Sequence, residues 1–209
     1  MSVTIALAKG RLADKSIELL EQAGLQLDFL KVQSRKLIFE DSSGKLRFIF
    51  VKPFDVPTYV EHGVADIGIC GKDTILESES NIYELMDLGF GKCKLVIAGK
   101  AGTDFLGRNN LRVATKFVGC AKKYFAEKQQ NIEIIKLSGS VELAPIIGLA
   151  DVILDIVESG KTLAENNLVI LDEVAVVSAR LVVNKVSLKT KKEAIAPLLQ
   201  SVKAVTEGK

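Results

Sequence analysis

Hydrophobic positions along the chain alternate between short unbroken runs and longer stretches with helical spacing. Residues 3–8 form an apolar, β-branched run that predicts a buried strand. Leu12, Ile17, Leu20 and Ala23 then share one helical face, and Gly24 stops that helix. Runs at 36–40 and 46–51 flank Asp41, Ser42, Ser43 and Gly44, which signals a hairpin. A helix follows with Asp55 as its N-cap and Pro57 in its first turn. Residues 65–70 read as a strand, with Asp73 as the cap of the next helix. Further strands are predicted at 94–98, 111–115, 132–137 and 152–155, alternating with helices at 117–128 and 141–148. A long apolar stretch at 168–183 follows a short helix, and the last helix, 190–206, carries Pro197 as a kink or late start. No internal repeat is apparent.

This alternation predicts an α/β fold of two lobes with mostly parallel sheet. Glycines at 89 and 91 interrupt the pattern, and residues 171–179 lie inside a run too long for one strand in a small domain. Both read as crossings between lobes. The expected division is a discontinuous first lobe, 1–90 plus 180–209, around a second lobe, 91–179, with a ligand cleft between them.

Composition narrows the function. In 209 residues, 28 Lys and Arg against 26 Asp and Glu give a net charge of +2, unlike a dedicated nucleic-acid binder. No apolar run is long enough for a membrane span, and the charges at Lys9 and Arg11 follow the first apolar run, the reverse of a secretory signal. Cys70, Cys93 and Cys120 are odd in number and far apart, which suggests neither a disulfide framework nor a zinc site. The expectation is a cytoplasmic protein. The single histidine, His62, ends a predicted helix, where it needs no catalytic role, so chemistry falls to Lys, Arg, Asp and backbone amides.

The most informative segment is 152–163, VILDIVESGKTL. A hydrophobic strand ends in Asp155, and a loop with Ser159, Gly160 and Thr162 opens a helix. Amides at a helix N-terminus with hydroxyls beside them suit a phosphate, and Gly160 lets the backbone approach it. Asp155 suits the hydroxyls of a sugar, so phosphate plus diol outlines a phosphoribosyl group. Gly160, Lys161 and Thr162 mimic the end of a Walker A loop, but the glycine that motif requires five positions earlier is Asp155. A bland reading, helix cap and polar strand end, stands beside the phosphate reading.

The segment 142–163, ELAPIIGLADVILDIVESGKTL, resembles the signature of ATP phosphoribosyltransferases, as do AKGRL at 8–12, KPFDVPTYV at 52–60 and DIGICGKD at 66–73. The resemblance runs in order from residue 9 to about 183. It implies a fold like type II periplasmic binding proteins. It also implies transfer of the 5-phosphoribosyl group of phosphoribosyl pyrophosphate to N1 of ATP, with magnesium carried by the substrate and pyrophosphate released, as the first step of histidine biosynthesis. The length suggests the short form, whose partner is a regulatory subunit resembling histidyl-tRNA synthetase, in a hetero-oligomer.

By that resemblance Asp155, Glu158, Ser159, Gly160, Lys161 and Thr162 hold the phosphoribosyl pyrophosphate. Lys9, Arg35 and Lys52 are the catalytic candidates, Arg35 and Lys52 for stabilising the leaving group, and Arg11, Asp73, Thr115, Gly139, Ser140 and Glu142 are candidates for the ATP side. Position 52 is often Arg in the family, and Lys keeps the charge without the bidentate fork. The rival class is a non-catalytic solute-binding protein of the same fold, and a phosphoribosyltransferase with another acceptor is a third reading.

Overall fold

The computed structural model describes residues 2–30 and 36–208. They divide into two compact units, 1–91 plus 178–209 and 92–177.

In unit 1, β1 (Val3–Ala8) is buried along its whole length. The helix α1 (Arg11–Gln22) buries Ala13, Ser16, Leu19 and Leu20, a spacing of three and four that lays one stripe on the sheet. Gly24 at φ 93° ends it. The hairpin β2 (Ile38–Glu40) and β3 (Leu46–Val51) is antiparallel, and its turn is organised by Asp41. That carboxylate accepts from Ser43 Oγ and from Leu46 N at 2.9 Å, and these bonds hold its pKa below the ordinary value. Next come α2 (Val56–Glu61), β4 (Ile67–Gly71), α3 (Lys72–Ser78) and β5 (Tyr83–Asp87). After the second unit the chain returns as β11 (Ala179–Val183), α7 (Lys185–Thr190) and α8 (Lys192–Glu207). The sheet order is β2-β3-β1-β4-β11-β5.

Unit 2 comprises β6 (Cys93–Gly99), β7 (Leu111–Thr115), α4 (Val118–Glu127), β8 (Ile132–Lys136), α5 (Leu143–Ile146), β9 (Val152–Val157), α6 (Lys161–Glu165) and β10 (Val169–Val177). Its sheet order is β10-β6-β9-β7-β8.

The expectation of mostly parallel sheet needs correction. Each sheet has a parallel trio, β3-β1-β4 or β8-β7-β9, flanked by antiparallel strands. Apart from β2, which pairs with β3 through a hairpin, the antiparallel members are the strands on either side of the two breaks in the chain, β5 and β6 at one and β10 and β11 at the other. The long 168–183 stretch is two strands that break at Ser178, β10 in unit 2 and β11 in unit 1. Asp55 is the N-cap residue of α2, as expected, though without a side-chain capping bond, and Asp73 lies inside α3, whose N-cap is Gly71. The last predicted helix is two, α7 and α8, with Pro197 inside α8.

The two units also repeat one another. With β2 set aside, β3-β1-β4-β11-β5 and β8-β7-β9-β6-β10 agree in order and in strand direction. A short sequence echo accompanies the match: GVADIGI at 63–69 and GLADVIL at 148–154. In each copy the glycine has positive φ, 70° at Gly63 and 77° at Gly148, where the chain turns into the strand. The alanine is buried in both, and the aspartate ties the strand to its parallel neighbour. Asp66 N donates to Thr4 O and Asp66 Oδ2 accepts from Thr4 N, both at 2.8 Å. Asp151 N donates to Arg112 O and Asp151 Oδ2 accepts from Arg112 N, both at 2.9 Å. Asp66 further accepts from Ser187 Oγ at 2.6 Å and Lys191 Nζ at 2.8 Å, fastening α7 and α8 to the sheet. Asp151 pairs instead with Arg112 Nη2 at 3.0 Å and Arg108 Nη1 at 3.2 Å. Both clamps sit where the parallel strands begin. The carboxyl ends of those strands are left for other work.

Candidate functional site

In unit 2 the carboxyl ends of β7, β8 and β9 lie side by side, with Thr115 opposite Leu154 and Lys136. Ligand sites of open α/β sheets form outside such ends. Asp155 is the next residue of β9, its side chain 17% exposed. Its Oδ1 is buried and has no hydrogen-bond partner among the described residues. Lys116 Nζ stands 3.3 Å from that oxygen, close enough for an ion pair but not aligned as a hydrogen bond. The carboxylate therefore keeps an acceptor unused in a place where an unmade bond costs about 1–3 kcal/mol.

Beyond Val157 the chain bends through Glu158 and Ser159, both exposed, to Gly160 at φ 75°, the left-handed N-cap of α6. Ser159 Oγ faces Lys161 N at 3.4 Å, and the first-turn amides of a helix have no intrahelical acceptor. Thr162 is exposed, while Lys161 lies along the helix surface 3.8 Å from Glu165. Across the sheet, Gly139 and Ser140 are exposed after β8, and Ser140 adopts φ 48°. Glu142, half-buried, precedes the single turn of α5. These residues share one edge of unit 2.

Thr115 does not reach that edge. It is fully buried, and its hydroxyl donates to Leu154 O at 2.6 Å and accepts from Phe117 N at 2.8 Å. Its hydroxyl is spent joining β7 to β9.

In unit 1 the matching edge carries Lys9, Arg11, Lys52 and Asp73. Ala8 is in register with Val51 on parallel strands, and Lys9 N donates to Val51 O at 3.0 Å, so Lys9 and Lys52 leave the sheet next to each other. Both are exposed, as is Arg11 at the start of α1. Gly71 ends β4 beside them, and a Cβ there would stand 2.1 Å from Asp73 Oδ1, so the aspartate folds back over a glycine. Arg35 lies outside the described residues.

Sequence reasoning missed Lys116 and a polar group around Arg180. Arg180 pairs with Asp87 at 2.9 Å and Glu84 at 3.4 Å, and Glu84 also holds Lys72. Cys70, beneath this group, is fully buried, and desolvation followed by the charges of Asp73 and Glu84 pushes its thiol pKa far up. It behaves as a small apolar residue. Among the described residues no three His, Cys, Asp or Glu side chains form a metal-binding group, and no helix is long and apolar enough to cross a membrane.

Two α/β units of like topology, with polar loops at the carboxyl ends of their parallel strands, define a protein of the type II periplasmic-binding-protein fold. Solved neighbours agree on the fold. A substrate-binding protein of an amino acid ABC transporter matches with a TM-score of 0.59 at 14% identity, covering 100% of this chain and 94% of that one. Similarity of another order connects the chain to enzymes. The family model for HisG, ATP phosphoribosyltransferase, matches residues 52–204. An ATP phosphoribosyltransferase of a Thermoanaerobacter species is 54% identical over 208 residues, covering 99% of this chain and 97% of the relative. That of Clostridioides difficile is 54% identical over 199 residues, 95% of each. The ATP phosphoribosyl transferase (HisG:HisZ) complex from Thermotoga maritima superposes with a TM-score of 0.87 at 40% identity, covering 99% of this chain and 98% of that one. The chain belongs to the ATP phosphoribosyltransferase family, pentosyltransferases that catalyse the first step of histidine biosynthesis.

Proposed function

We propose that the chain transfers the 5-phosphoribosyl group of phosphoribosyl pyrophosphate to N1 of ATP, with the donor's phosphoribosyl part held by unit 2. The adenine N1 lone pair attacks the anomeric carbon, the bond from that carbon to the pyrophosphate oxygen breaks, and N1-(5-phosphoribosyl)-ATP and pyrophosphate result. The transition state has oxocarbenium character, and N1 is nucleophilic without activation. The protein's task is placement and charge on the departing group. Magnesium enters with the donor's diphosphate as part of the substrate.

The observation that carries the assignment is the unused, buried Oδ1 of Asp155 directly before the 158–162 turn. A ribose diol donates to the carboxylate, and the 5-phosphate takes the amides and hydroxyls of Ser159, Gly160 and Thr162. Lys9 and Lys52, neighbours at the edge of unit 1, supply charge to the diphosphate, together with Arg35. Arg11, Asp73, Gly139, Ser140 and Glu142 are assigned to ATP. The Thermotoga maritima relative was solved with HisZ, and we assign this chain a regulatory subunit of that kind, in a hetero-oligomer in the cytoplasm.

Pyrophosphate release from phosphoribosyl pyrophosphate tests the reading, with ATP, magnesium and a HisZ-type subunit present. Release that requires ATP and not another nucleotide is expected. Donor binding without release would place the chain with the solute-binding proteins, and release with a different base would replace the acceptor.

A further inference from the structure

The match between the two units supplies an internal control for the site. Ile5 pairs with Ile67 in unit 1 as Val113 pairs with Val152 in unit 2, each one residue after the clamping aspartate. Counting along the strands, Ala8 corresponds to Lys116 and Cys70 to Asp155. In unit 1 these two positions are an apolar pair, Ala8 1% and Cys70 0% exposed. In unit 2 they are a cation and a carboxylate, with side chains 27% and 17% exposed. The same fold thus closes this corner with a methyl and a thiol in one copy. It has no need of an ion pair in the other, and a half-buried pair returns little stability for the desolvation it costs.

Lys116 is also held from a second side. Its ammonium lies 5.0 Å from the centroid of the Phe117 ring, a cation–π distance, and Phe117 is fully buried. The cation is therefore fixed in place while its contact with Asp155 falls short of a hydrogen bond.

We propose that Lys116 is a positioning residue for donor binding: it fixes and neutralises Asp155 at the end of β9 so that the buried Oδ1 points to the ribose hydroxyls. This rests on the reading that the Asp155 edge binds phosphoribosyl pyrophosphate. Without the ammonium the carboxylate loses the cation that faces its Oδ1 and is free to turn toward solvent, which removes an acceptor from the diol. Lys116 touches neither ATP nor the reacting carbon in this role, so its loss acts on one substrate.

Steady-state kinetics of Lys116→Met, Lys116→Arg and Asp155→Asn, each with the HisZ-type subunit, test this. Lys116→Met is expected to raise KM for phosphoribosyl pyrophosphate at least tenfold, with kcat and KM for ATP within about twofold and an unchanged melting temperature. Lys116→Arg is expected to restore KM to within about threefold of the parent, because the charge and its ring contact return. The double variant Lys116→Met with Asp155→Asn is expected to bind donor no worse than Asp155→Asn alone, since the two act through one carboxylate. If Asp155→Asn weakens donor use and Lys116→Met does not, or if the double variant shows the full product of both effects, Lys116 has no such role. If Asp155→Asn itself leaves donor KM unchanged, the reading of the site fails, a different failure from that of Lys116. Should Lys116→Met not fold, Lys116→Gln is measured in its place, and an unchanged donor KM there overturns the proposal equally.

Discussion

Asp155 and Thr115 stand on neighbouring strands and face opposite fates. The sequence marks both as polar residues at strand ends, and one of them is spent on the fold. The distinction lies in partners: Thr115 finds Leu154 O and Phe117 N, whereas Asp155 Oδ1 finds no hydrogen bond among the described residues. Such partners come from strands paired only in three dimensions, which no local pattern displays. For the same reason Lys116 passes unnoticed in the sequence as a charge in a turn. Asp155→Asn is expected to weaken phosphoribosyl pyrophosphate use by about 1–3 kcal/mol, the scale of a charged hydrogen bond, with ATP binding retained. Isothermal calorimetry with each substrate separately checks this, and equal losses for both would speak against a donor-specific carboxylate.

Elements were more legible than contacts, with instructive exceptions. The strand–helix alternation, the 41–44 turn and the glycine stop after α1 all follow from local chemistry. The strand β5 escaped because its pattern is inverted: Tyr83 and Leu85, its apolar positions, are each 40% exposed. The helix at 141–148 shrank to α5 because Gly148 leaves helical space to turn the chain toward the Asp151 clamp. The structural repeat was invisible for a related reason, since only seven residues of sequence echo it, at 63–69 and 148–154. One packing contact is decisive in unit 1. A Cβ on Gly68 would lie 2.7 Å from Val60 Cγ2 and 2.8 Å from Val56 Cγ1, both stiff side chains of α2. Gly68→Ala is expected to cost about 1–3 kcal/mol in urea unfolding by forcing α2 off the sheet, and an unchanged midpoint would show the contact to be soft.

The clamp in unit 2 makes a pH prediction. The Arg112 hydrogen bond holds the Asp151 pKa below its ordinary value. A depressed carboxyl pKa gives stability that is complete above the unfolded value near 4 and is lost as pH falls through the folded one. The melting temperature of the parent should therefore drop more steeply below about pH 4 than that of Asp151→Asn, which has already lost the charge. Parallel curves would mean the clamp contributes no proton linkage.

For the whole molecule, two like folds carry unlike edges: unit 1 ends its parallel strands in lysines and an arginine, and unit 2 ends its own in a carboxylate and a glycine turn. Family membership follows from similarity over nearly the full chain, and the division into units from the two breaks in the strand pattern. What ties them together is the claim that the β9 end and the turn after it hold the phosphoribosyl group. A crystal structure of the chain with bound phosphoribosyl pyrophosphate measures this directly. The 5-phosphate is expected on the amides of 159–162, with the ribose hydroxyls on Asp155. Well-ordered donor bound elsewhere, with that turn unoccupied, would contradict it.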